Sequence, residues 1–562
     1  MIHSKILLSL FCLILSFSLM ACKSKGSSSG ATAGESYSGD SVKNDWKVSW
    51  LTANPYGLNP IVGNDGYARD VFSNIFDALI TFSVETGEPM PRLAESWKIS
   101  ADGLTYDFTL RKDAKFHDGV LLTAEDVKFT LDAIMNPKTD SAALRNYMDD
   151  VKEAKVIGPH EIRFSMKKPY FRNLITLGLM EVLPKHIFSM GDINKNPANR
   201  APIGSGPYKF SKWDTGRSIE LLRNEEWWGN TSDHYKSRYN FNKLHFRVIT
   251  EQAVAAMALK KGEIDTIEPT PSMFLKDFGD KDFEKNNYRL KFSTQDGDGY
   301  RYIGWNLKKP LLQSKEVRQA LAYLFPRDEI NERMFNNILT PSIGPFPMGS
   351  PKTDPTLKPY AYDRQKALEL LATAGYSGKD KEGYLSKDGK RLSFQLLFGA
   401  GSAEGERMAL IYQQSLKEAG IDMSIRTLEW TVFLKQRQER KFDAVMMSWT
   451  SSLDGDPYQI WHSSQEAGQG SNAGAYANKR VDEILETARP TLDRSVRNKL
   501  YQEMSRIVND EQPYLFLFER PHLFVGTKRF AGVLPIGKLG LDSARWFTPP
   551  GAEKYKTAAE TQ

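Results

Sequence analysis

The sequence predicts a mixed α/β protein of about three structural units. The chain has 562 residues, and one domain usually takes about 100–200 residues. From residue 46 onward, alternating segments typical of strands are interleaved with amphipathic segments typical of helices. Aromatic residues make up 11% of the chain, which argues against disorder. The mean hydropathy of −0.47 excludes a polytopic membrane protein.

Strands are predicted where apolar and polar residues alternate over four to eight positions. Residues 105–110 give the clearest alternation. The other predicted strands are 47–51, 161–166, 218–222 and 243–249.

Helices are predicted from the 3.6-residue period of apolar positions and from capping residues at their ends. Thr123 is suited to cap a helix that has Asp126 in its first turn. Asp363 and Gly375 are placed to begin and end another. The remaining predicted helices are 67–79, 251–262, 314–325, 405–420, 481–486 and 494–510.

Charge and cysteine usage exclude several classes of function. The net charge of +6 is small and spread along the chain, so no nucleic-acid footprint is predicted. The two cysteines are Cys12 and Cys22. The body of the protein therefore cannot hold a disulfide, a cysteine-based metal site or a catalytic thiol.

The N-terminus predicts an export signal and a lipid anchor. Lys5 precedes an uncharged apolar stretch that is too short to span a membrane, which is typical of a secretory signal. Leu19-Met20-Ala21-Cys22 resembles the bacterial lipobox, so residues 1–21 are interpreted as a signal peptide and Cys22 as the lipidated residue. Residues 22–44 are rich in Ser and Gly and predict a flexible tether. A simple signal peptide or an uncleaved anchor stays open.

Motifs for catalysis are missing from the predicted folded body. The one Gly-x-Ser-x-Gly match, Gly26 to Gly30, lies in the tether, where no strand and helix could present a nucleophile. There is no Walker A, Gly-x-Gly-x-x-Gly or His-Glu-x-x-His motif. The sequence therefore predicts no enzyme activity, no cofactor and no metal site, although convergent triads leave no sequence signature.

Several segments together resemble one family. These are Leu93-Ala94-Glu95-Ser96-Trp97, Lys115-Phe116-His117-Asp118-Gly119, Gly204-Ser205-Gly206-Pro207-Tyr208, Lys261-Gly262-Glu263-Ile264-Asp265 and Val317-Arg318-Gln319-Ala320-Leu321. In this order they resemble the oligopeptide- and dipeptide-binding lipoproteins of ABC importers, the family 5 extracellular solute-binding proteins. The resemblance covers nearly all of the chain after the tether.

The resemblance implies a two-lobed, type II-like periplasmic-binding-protein fold with a ligand cleft between the lobes and an extra subdomain in lobe one. It assigns residues 45–75, 203–298 and 523–550 to lobe one, 76–202 to the extra subdomain and 299–522 to lobe two. Ligand contacts to both lobes would favour the closed form.

The resemblance also implies the site residues. A lobe-two Trp matches Trp449, and a nearby aspartate that pairs with the peptide ammonium matches Asp454 or, second, Asp456. The other residues implied are Trp430 and Arg437 in the cleft, Tyr147 closing over the ligand, Gly63 and Asn64 pairing with the ligand backbone, and Trp305 near the hinge and cleft. Turn chemistry for residues 454–457 and core roles for the others stay open.

The function implied is that of a monomeric, extracytoplasmic lipoprotein, anchored to a membrane by Cys22. It would capture peptides in the cleft and deliver them to the permease subunits of an ABC importer. The alternatives are a non-peptide solute such as an oligosaccharide, a metal chelate or haem, an extracytoplasmic hydrolase, and a sensor that signals through a membrane partner.

Overall fold

A computed structural model of the chain describes residues 45–62, 66–294, 299–400, 402–451, 453–466 and 470–555. The predicted signal peptide, Cys22 and tether lie outside these residues. Within them, no helix is both long enough and apolar enough to cross a membrane.

All five predicted strands are present, and the described residues form eighteen more. The strands are β1 (Trp46–Leu51), β2 (Ile80–Phe82), β3 (Pro89–Pro91), β4 (Ala94–Ile99), β5 (Thr105–Leu110), β6 (Val151–Gly158), β7 (Glu161–Met166), β8 (Tyr208–Asp214), β9 (Ser218–Arg223), β10 (Lys243–Val248), β11 (Thr266–Ile267), β12 (Asn287–Phe292), β13 (Tyr300–Trp305), β14 (Gly378–Lys379), β15 (Leu385–Lys387), β16 (Lys390–Arg391), β17 (Ser393–Gly399), β18 (Asp422–Leu428), β19 (Ala444–Trp449), β20 (Tyr514–Glu519), β21 (His522–Thr527), β22 (Pro535–Ile536) and β23 (Gly540–Leu541).

The helices are mostly short. They are α1 (Gly66–Phe72), α2 (Ala124–Met135), α3 (Ala142–Met148), α4 (Asn173–Gly178), α5 (Lys185–Phe188), α6 (Gln252–Lys260), α7 (Pro271–Lys276), α8 (Lys281–Asn286), α9 (Pro310–Gln313), α10 (Lys315–Tyr323), α11 (Arg327–Phe335), α12 (Arg364–Thr373), α13 (Ala403–Glu418), α14 (Trp430–Gln438), α15 (Tyr458–Trp461), α16 (Lys479–Ala488) and α17 (Arg494–Glu511).

Three sheets organise the described chain. A seven-stranded sheet has the order β12-β21-β11-β1-β10-β9-β8, in which β1 is parallel to both its neighbours. A five-stranded sheet has the order β18-β17-β19-β13-β20, and a four-stranded sheet the order β4-β5-β7-β6. The chain passes between the first two sheets after β12 and again after β20. The strands of the seven-stranded sheet thus come from three separate stretches of sequence.

The apolar cores follow the sheets. One cluster joins the four-stranded sheet to one face of the seven-stranded sheet, and a smaller cluster covers the other face of the latter. Two further large clusters lie on the five-stranded sheet. The separate cores fit the rule that each layered unit buries its own apolar faces. The lobe boundaries at the residue numbers given above stay predictions.

The predicted helix over 67–79 is wrong at its C-terminal end. Helix α1 ends at Phe72, although Ile75 and Phe76 are buried as the periodicity required. The carbonyl oxygens of Asn74 and Ile75 accept hydrogen bonds from Tyr208 and Gly206 instead of continuing a helical ladder. A long-range backbone pairing has therefore replaced the last helical turns.

Asp77 joins two separate parts of the chain in the core. Its carboxylate is fully buried and accepts hydrogen bonds from the indole Nε1 atoms of Trp227 (3.1 Å) and Trp228 (3.0 Å) and from Arg92 Nε (2.6 Å). The burial of Arg92 alone would lower its pKa, but the charge of Asp77 outweighs burial and raises it. The two buried charges thus pair with each other, as buried charges must.

Candidate functional site

An aromatic stack at the carboxyl end of β19 forms the centre of the candidate site. The Trp449 ring lies 6.0 Å from that of Tyr302 at an interplanar angle of 7°, and the Tyr302 ring lies 4.1 Å from that of Tyr514. The register of β13 and β19 places Tyr302 opposite Met447, so Tyr302 and Trp449 are diagonal neighbours on one face of the sheet. Trp449 is the outer, partly buried member of the stack.

Arg437 brings a positive charge to the stack. Its guanidinium carbon lies 5.4 Å from the centre of the Trp449 ring, and its Nη2 donates to the carbonyl of Ser471 over 3.1 Å. A guanidinium beside an aromatic face gains about 0.5–2 kcal/mol, depending on how far it is desolvated. Arg437 and Trp449 together offer a ligand a flat apolar face and a cation.

A cavity of about 110 Å³ lies beside Trp449. Its aromatic walls include Tyr300, Phe346 and Trp461, and its charged walls are Lys352 and Asp456. The cavity is large enough for several water molecules or for one small side chain. Such a pocket suits a side chain of variable identity, because water can fill whatever space the side chain leaves.

Asp454 is buried and already neutralised by the protein. Its carboxylate lies 2.6 Å from Arg497 Nη2 and 3.1 Å from Lys352 Nζ, and all three side chains are at most 6% exposed. Burial raises the pKa of Asp454, but the charges of Lys352 and Arg497 outweigh it and hold the pKa below the usual value. The backbone of Asp454 is left-handed, with φ of 44°, a conformation that Asp tolerates.

Asp456 is also engaged. It accepts a hydrogen bond from Tyr170 Oη over 2.8 Å and forms an ion pair with Arg489 Nε at 3.0 Å. Its other oxygen accepts from the backbone N–H of Tyr458 over 3.0 Å, which is turn chemistry. Ammonium binding by Asp454 or Asp456 stays a prediction, and in this structure both carboxylates have protein partners.

The loop 453–457, which we call the acidic loop, is held by a segment that follows the four-stranded sheet. Arg172 Nη1 donates to the carbonyl oxygens of Leu453 (2.8 Å) and Asp454 (2.6 Å). Phe171 N–H donates to the carbonyl of Arg489 over 2.9 Å. Residues 170–172 thus connect the four-stranded-sheet region to the five-stranded-sheet region at the site.

The other implied site residues do not lie together in the structure. Trp430 is 53% exposed at the start of α14, next to Gly399, and Tyr147 is 67% exposed in α3. Trp305 has no exposed surface and meets Phe394 edge to face in the core, so we leave it out of the proposed site. Gly63 and Asn64 lie outside the described residues.

The sequence analysis missed Tyr170, Arg172, Lys352 and Arg497. Nothing in their local pattern distinguishes them, since each is a common residue on a helix or loop far along the chain from the acidic loop. The only available signal was that Asp454 and Asp456, two neighbouring carboxylates, need cations close by. Among the described residues, no group of three or more His, Cys, Asp or Glu side chains is arranged to hold a metal ion.

Gly299 fixes the position of Trp449. Its φ is +108°, and a Cβ atom there would lie 1.8 Å from the carbonyl oxygen of Trp449. We expect Gly299→Ala to lower the free energy of unfolding by about 2 kcal/mol or more, because backbone strain and this clash add. Chemical denaturation measures the change.

The matched control is Gly383→Ala. Gly383 has a similar φ of +88°, but no atom lies within 4 Å of the Cβ position, so this variant carries the backbone strain alone. Equal destabilisation by the two variants would show that the contact with Trp449 is unimportant.

Comparison with known proteins identifies the family. The model for bacterial extracellular solute-binding proteins, family 5, matches residues 88–471. The chain belongs to this family. The oligopeptide-binding protein AppA of Bacillus subtilis is 31% identical over 521 residues, which cover 90% of this chain and 91% of AppA.

Solved structures of similar proteins have the same fold. The structure of Bacillus subtilis AppA in complex with a nonapeptide aligns with a TM-score of 0.71 at 28% identity, covering 91% of this chain and all of that one. NikZ from Campylobacter jejuni, in complex with Ni(L-His), aligns with a TM-score of 0.72 at 29% identity, covering 90% of this chain and all of that one.

Membership of family 5 confirms the predicted fold class, a two-lobed α/β binding protein with a cleft between the lobes. It also gives the chain a solute-binding role outside the cytoplasm. The segments that carried the resemblance serve the fold. For example, His117 receives the Gly204 N–H at Nδ1 (3.2 Å) and contacts the Gly206 carbonyl through Nε2 (3.1 Å). Burial lowers the pKa of His117 to about 4, so it is neutral at physiological pH.

Proposed function

We propose that this family 5 protein captures peptides between its two lobes and delivers them to the permease of an ABC importer. The observation that carries the peptide assignment is the likeness to AppA over nine-tenths of both chains, since AppA is an oligopeptide-binding protein and its solved complex holds a nonapeptide. The aromatic face of Trp449, the Arg437 cation and the adjoining cavity support it, because they suit side chains of varied chemistry.

The two lobes in this proposal are built on the two larger sheets. Lobe one comprises residues 45–75, 203–298 and 523–550 with the extra subdomain 76–202, and lobe two comprises 299–522. A peptide that contacts Trp449 from lobe two and the facing surface of lobe one would favour the closed form by its differential contacts. We propose that the closed monomer is the form that the permease recognises.

The assignment is tested by native mass spectrometry of the full-length protein purified in mild detergent. A ladder of bound masses that resolves into short peptides after denaturation is the expected result. A single bound mass that contains nickel or haem, or an oligosaccharide, would keep the fold and replace the ligand. Turnover of added peptide, in place of stoichiometric retention, would instead indicate a hydrolase.

We also propose that Cys22 carries a lipid and anchors the protein to the membrane. We expect Cys22→Ser to move the protein from the membrane fraction to the soluble fraction, because stable anchoring needs at least two buried acyl chains or their equivalent. Immunoblots of the two fractions measure the shift. Cys12→Ser is the control, since Cys12 would leave with the signal peptide. Retention of the Cys22→Ser protein in membranes would contradict the anchor.

A further inference from the structure

A second cavity, of about 540 Å³, lies on one face of the seven-stranded sheet. Its volume falls in the range of small-molecule sites, about 300–1,000 Å³. The described residues that line it come from β1, β10, β11, β21, α1 and the segments that follow them, together with residues 541–546. None of these lining residues lies in 299–522, so this cavity is separate from the cavity beside Trp449.

Lys47 places a cation among apolar side chains in this cavity. The parallel register of β1 and β10 pairs Lys47 with Leu244 and Ser49 with Phe246, so these residues share one face of the sheet. The Nζ of Lys47 lies 4.7 Å from the centre of the Trp546 ring. The side chain of Lys47 makes no hydrogen bond or ion pair with the described residues.

Burial and nearby charges change the pKa of Lys47 in opposite directions. Burial lowers the pKa of Lys47 to about 8, although Asp265, Glu268 and Asp70 act in the opposite direction. The ammonium form still predominates at pH 7. A carboxylate brought to Lys47 would replace part of the hydration that the ammonium has lost.

Trp546 adds a second donor without an acceptor. The residue lines the cavity and is 2% exposed, and no acceptor among the described residues receives its Nε1–H. Buried indole N–H groups usually find a partner. The Nε1 atom itself has almost no accessible surface, so the Lys47 ammonium is the group on the cavity wall that calls for an acceptor with negative charge.

The remaining walls indicate what else the occupant carries. Six apolar side chains line the cavity, namely Leu51, Leu244, Phe246, Ile267, Phe524 and Leu541. Glu268 follows β11, and the pairing of Ser49 with Thr266 puts its backbone level with that of Leu51. Asp70 also lines the cavity and, like Glu268, acts on the charge of Lys47. Both carboxylates would repel an anion, so a ligand carboxylate suits this cavity only in direct contact with the Lys47 ammonium.

We propose that this cavity is a second binding site, which takes a small organic carboxylate with an apolar tail. The carboxylate lies against the Lys47 ammonium, and the tail lies along the apolar wall towards Ile267. Because the whole wall belongs to the seven-stranded-sheet part of the chain, the occupant makes the same contacts whether the lobes are open or closed. It therefore does not drive closure, unlike a ligand of the cleft.

The test is calorimetric titration of the full-length protein with hexanoate at pH 7, with hexylamine and 1-hexanol as matched probes. We expect hexanoate to bind with a stoichiometry of one and the other two probes to bind at least tenfold more weakly. Lys47→Met should weaken hexanoate binding at least tenfold. Thermal melting confirms that each variant is folded.

Two control variants test whether hexanoate binds at Lys47 or at another cation of the protein. Lys243→Met removes the same charge from a neighbouring strand, but Lys243 pairs with Glu220 and does not line the cavity. Arg437→Ala removes the cation of the candidate cleft. Both variants should bind hexanoate as the unmodified protein does. No binding of hexanoate at millimolar concentration, or its loss in Arg437→Ala but not in Lys47→Met, would overturn the proposal and leave the peptide assignment untouched.

Discussion

Replacing Asp454 with Asn is expected to lower the free energy of unfolding by about 3–5 kcal/mol, because it removes the negative charge that pairs with two buried cations. Arg497 and Lys352 are 4% and 6% exposed and cannot turn to solvent without moving the elements that carry them. The folded-state pKa of Asp454 lies below 3.8. Its stabilising contribution is therefore present at neutral pH and is lost as the pH falls through the folded-state value.

Chemical denaturation at pH 7 measures this loss, and Asp233→Asn is the matched control. Asp233 pairs with Lys236 at 2.7 Å, but its side chain is 97% exposed, and we expect little change in stability. Similar effects of the two substitutions would contradict a structural role for the Asp454 ion pairs.

Peptide affinity of the folded Asp454→Asn protein separates the two roles assigned to this residue. If Asp454 only holds the acidic loop, the affinity falls by a few-fold at most. If it also meets the ligand ammonium, the affinity falls more than tenfold, about 1.4 kcal/mol.

Replacing Trp449 with Ala is expected to weaken peptide binding by about 30-fold to 1,000-fold, or 2–4 kcal/mol, the range of an aromatic binding hot spot. The substitution removes the outer ring of the stack with Tyr302 and one wall of the 110 Å³ cavity. It also removes the aromatic face beside Arg437. Calorimetry with peptides recovered from the purified protein measures the loss.

Two further variants make this result specific. Trp449→Phe keeps an aromatic face and should lose no more than about tenfold in affinity. Trp213→Ala removes a partly buried Trp from β8, where the ring lies 3.9 Å from the guanidinium carbon of Arg200, and should leave peptide affinity unchanged. Peptide affinity in Trp449→Ala equal to that in Trp213→Ala would remove Trp449 from the binding site.

Local sequence signals predicted five of the strands and eight of the helices of the described chain. The helix after Thr123 begins as expected, since the Asp126 carboxylate accepts the Thr123 N–H over 2.9 Å. Asp363 caps α12 by accepting the Lys366 N–H over 2.9 Å. Such caps need only neighbours within a few residues, so they can be predicted from the sequence. The shortened α1 could not, because its end depends on hydrogen bonds from residues 206–208.

The site was predicted only in part. The resemblance to the family predicted three residues that lie around one cavity and one aromatic stack, namely Trp449, Arg437 and Asp456. No sequence pattern predicted the ion pairs of Asp454, because its partners Lys352 and Arg497 lie in other parts of the chain. Trp305 could equally have been a core residue from its sequence, and the structure shows it fully buried.

The sequence by itself determined the fold class and the family of this protein, because periodicity, caps and the order of motif segments are local properties. The tertiary structure decided which charges meet. In the folded protein Asp454 pairs with Arg497, and Asp456 accepts a hydrogen bond from Tyr170. The Nζ of Lys47 lies 4.7 Å from the centre of the Trp546 ring. Ion pairing and burial depend on distances between residues far apart in the chain, and only the packing of the sheets sets those distances.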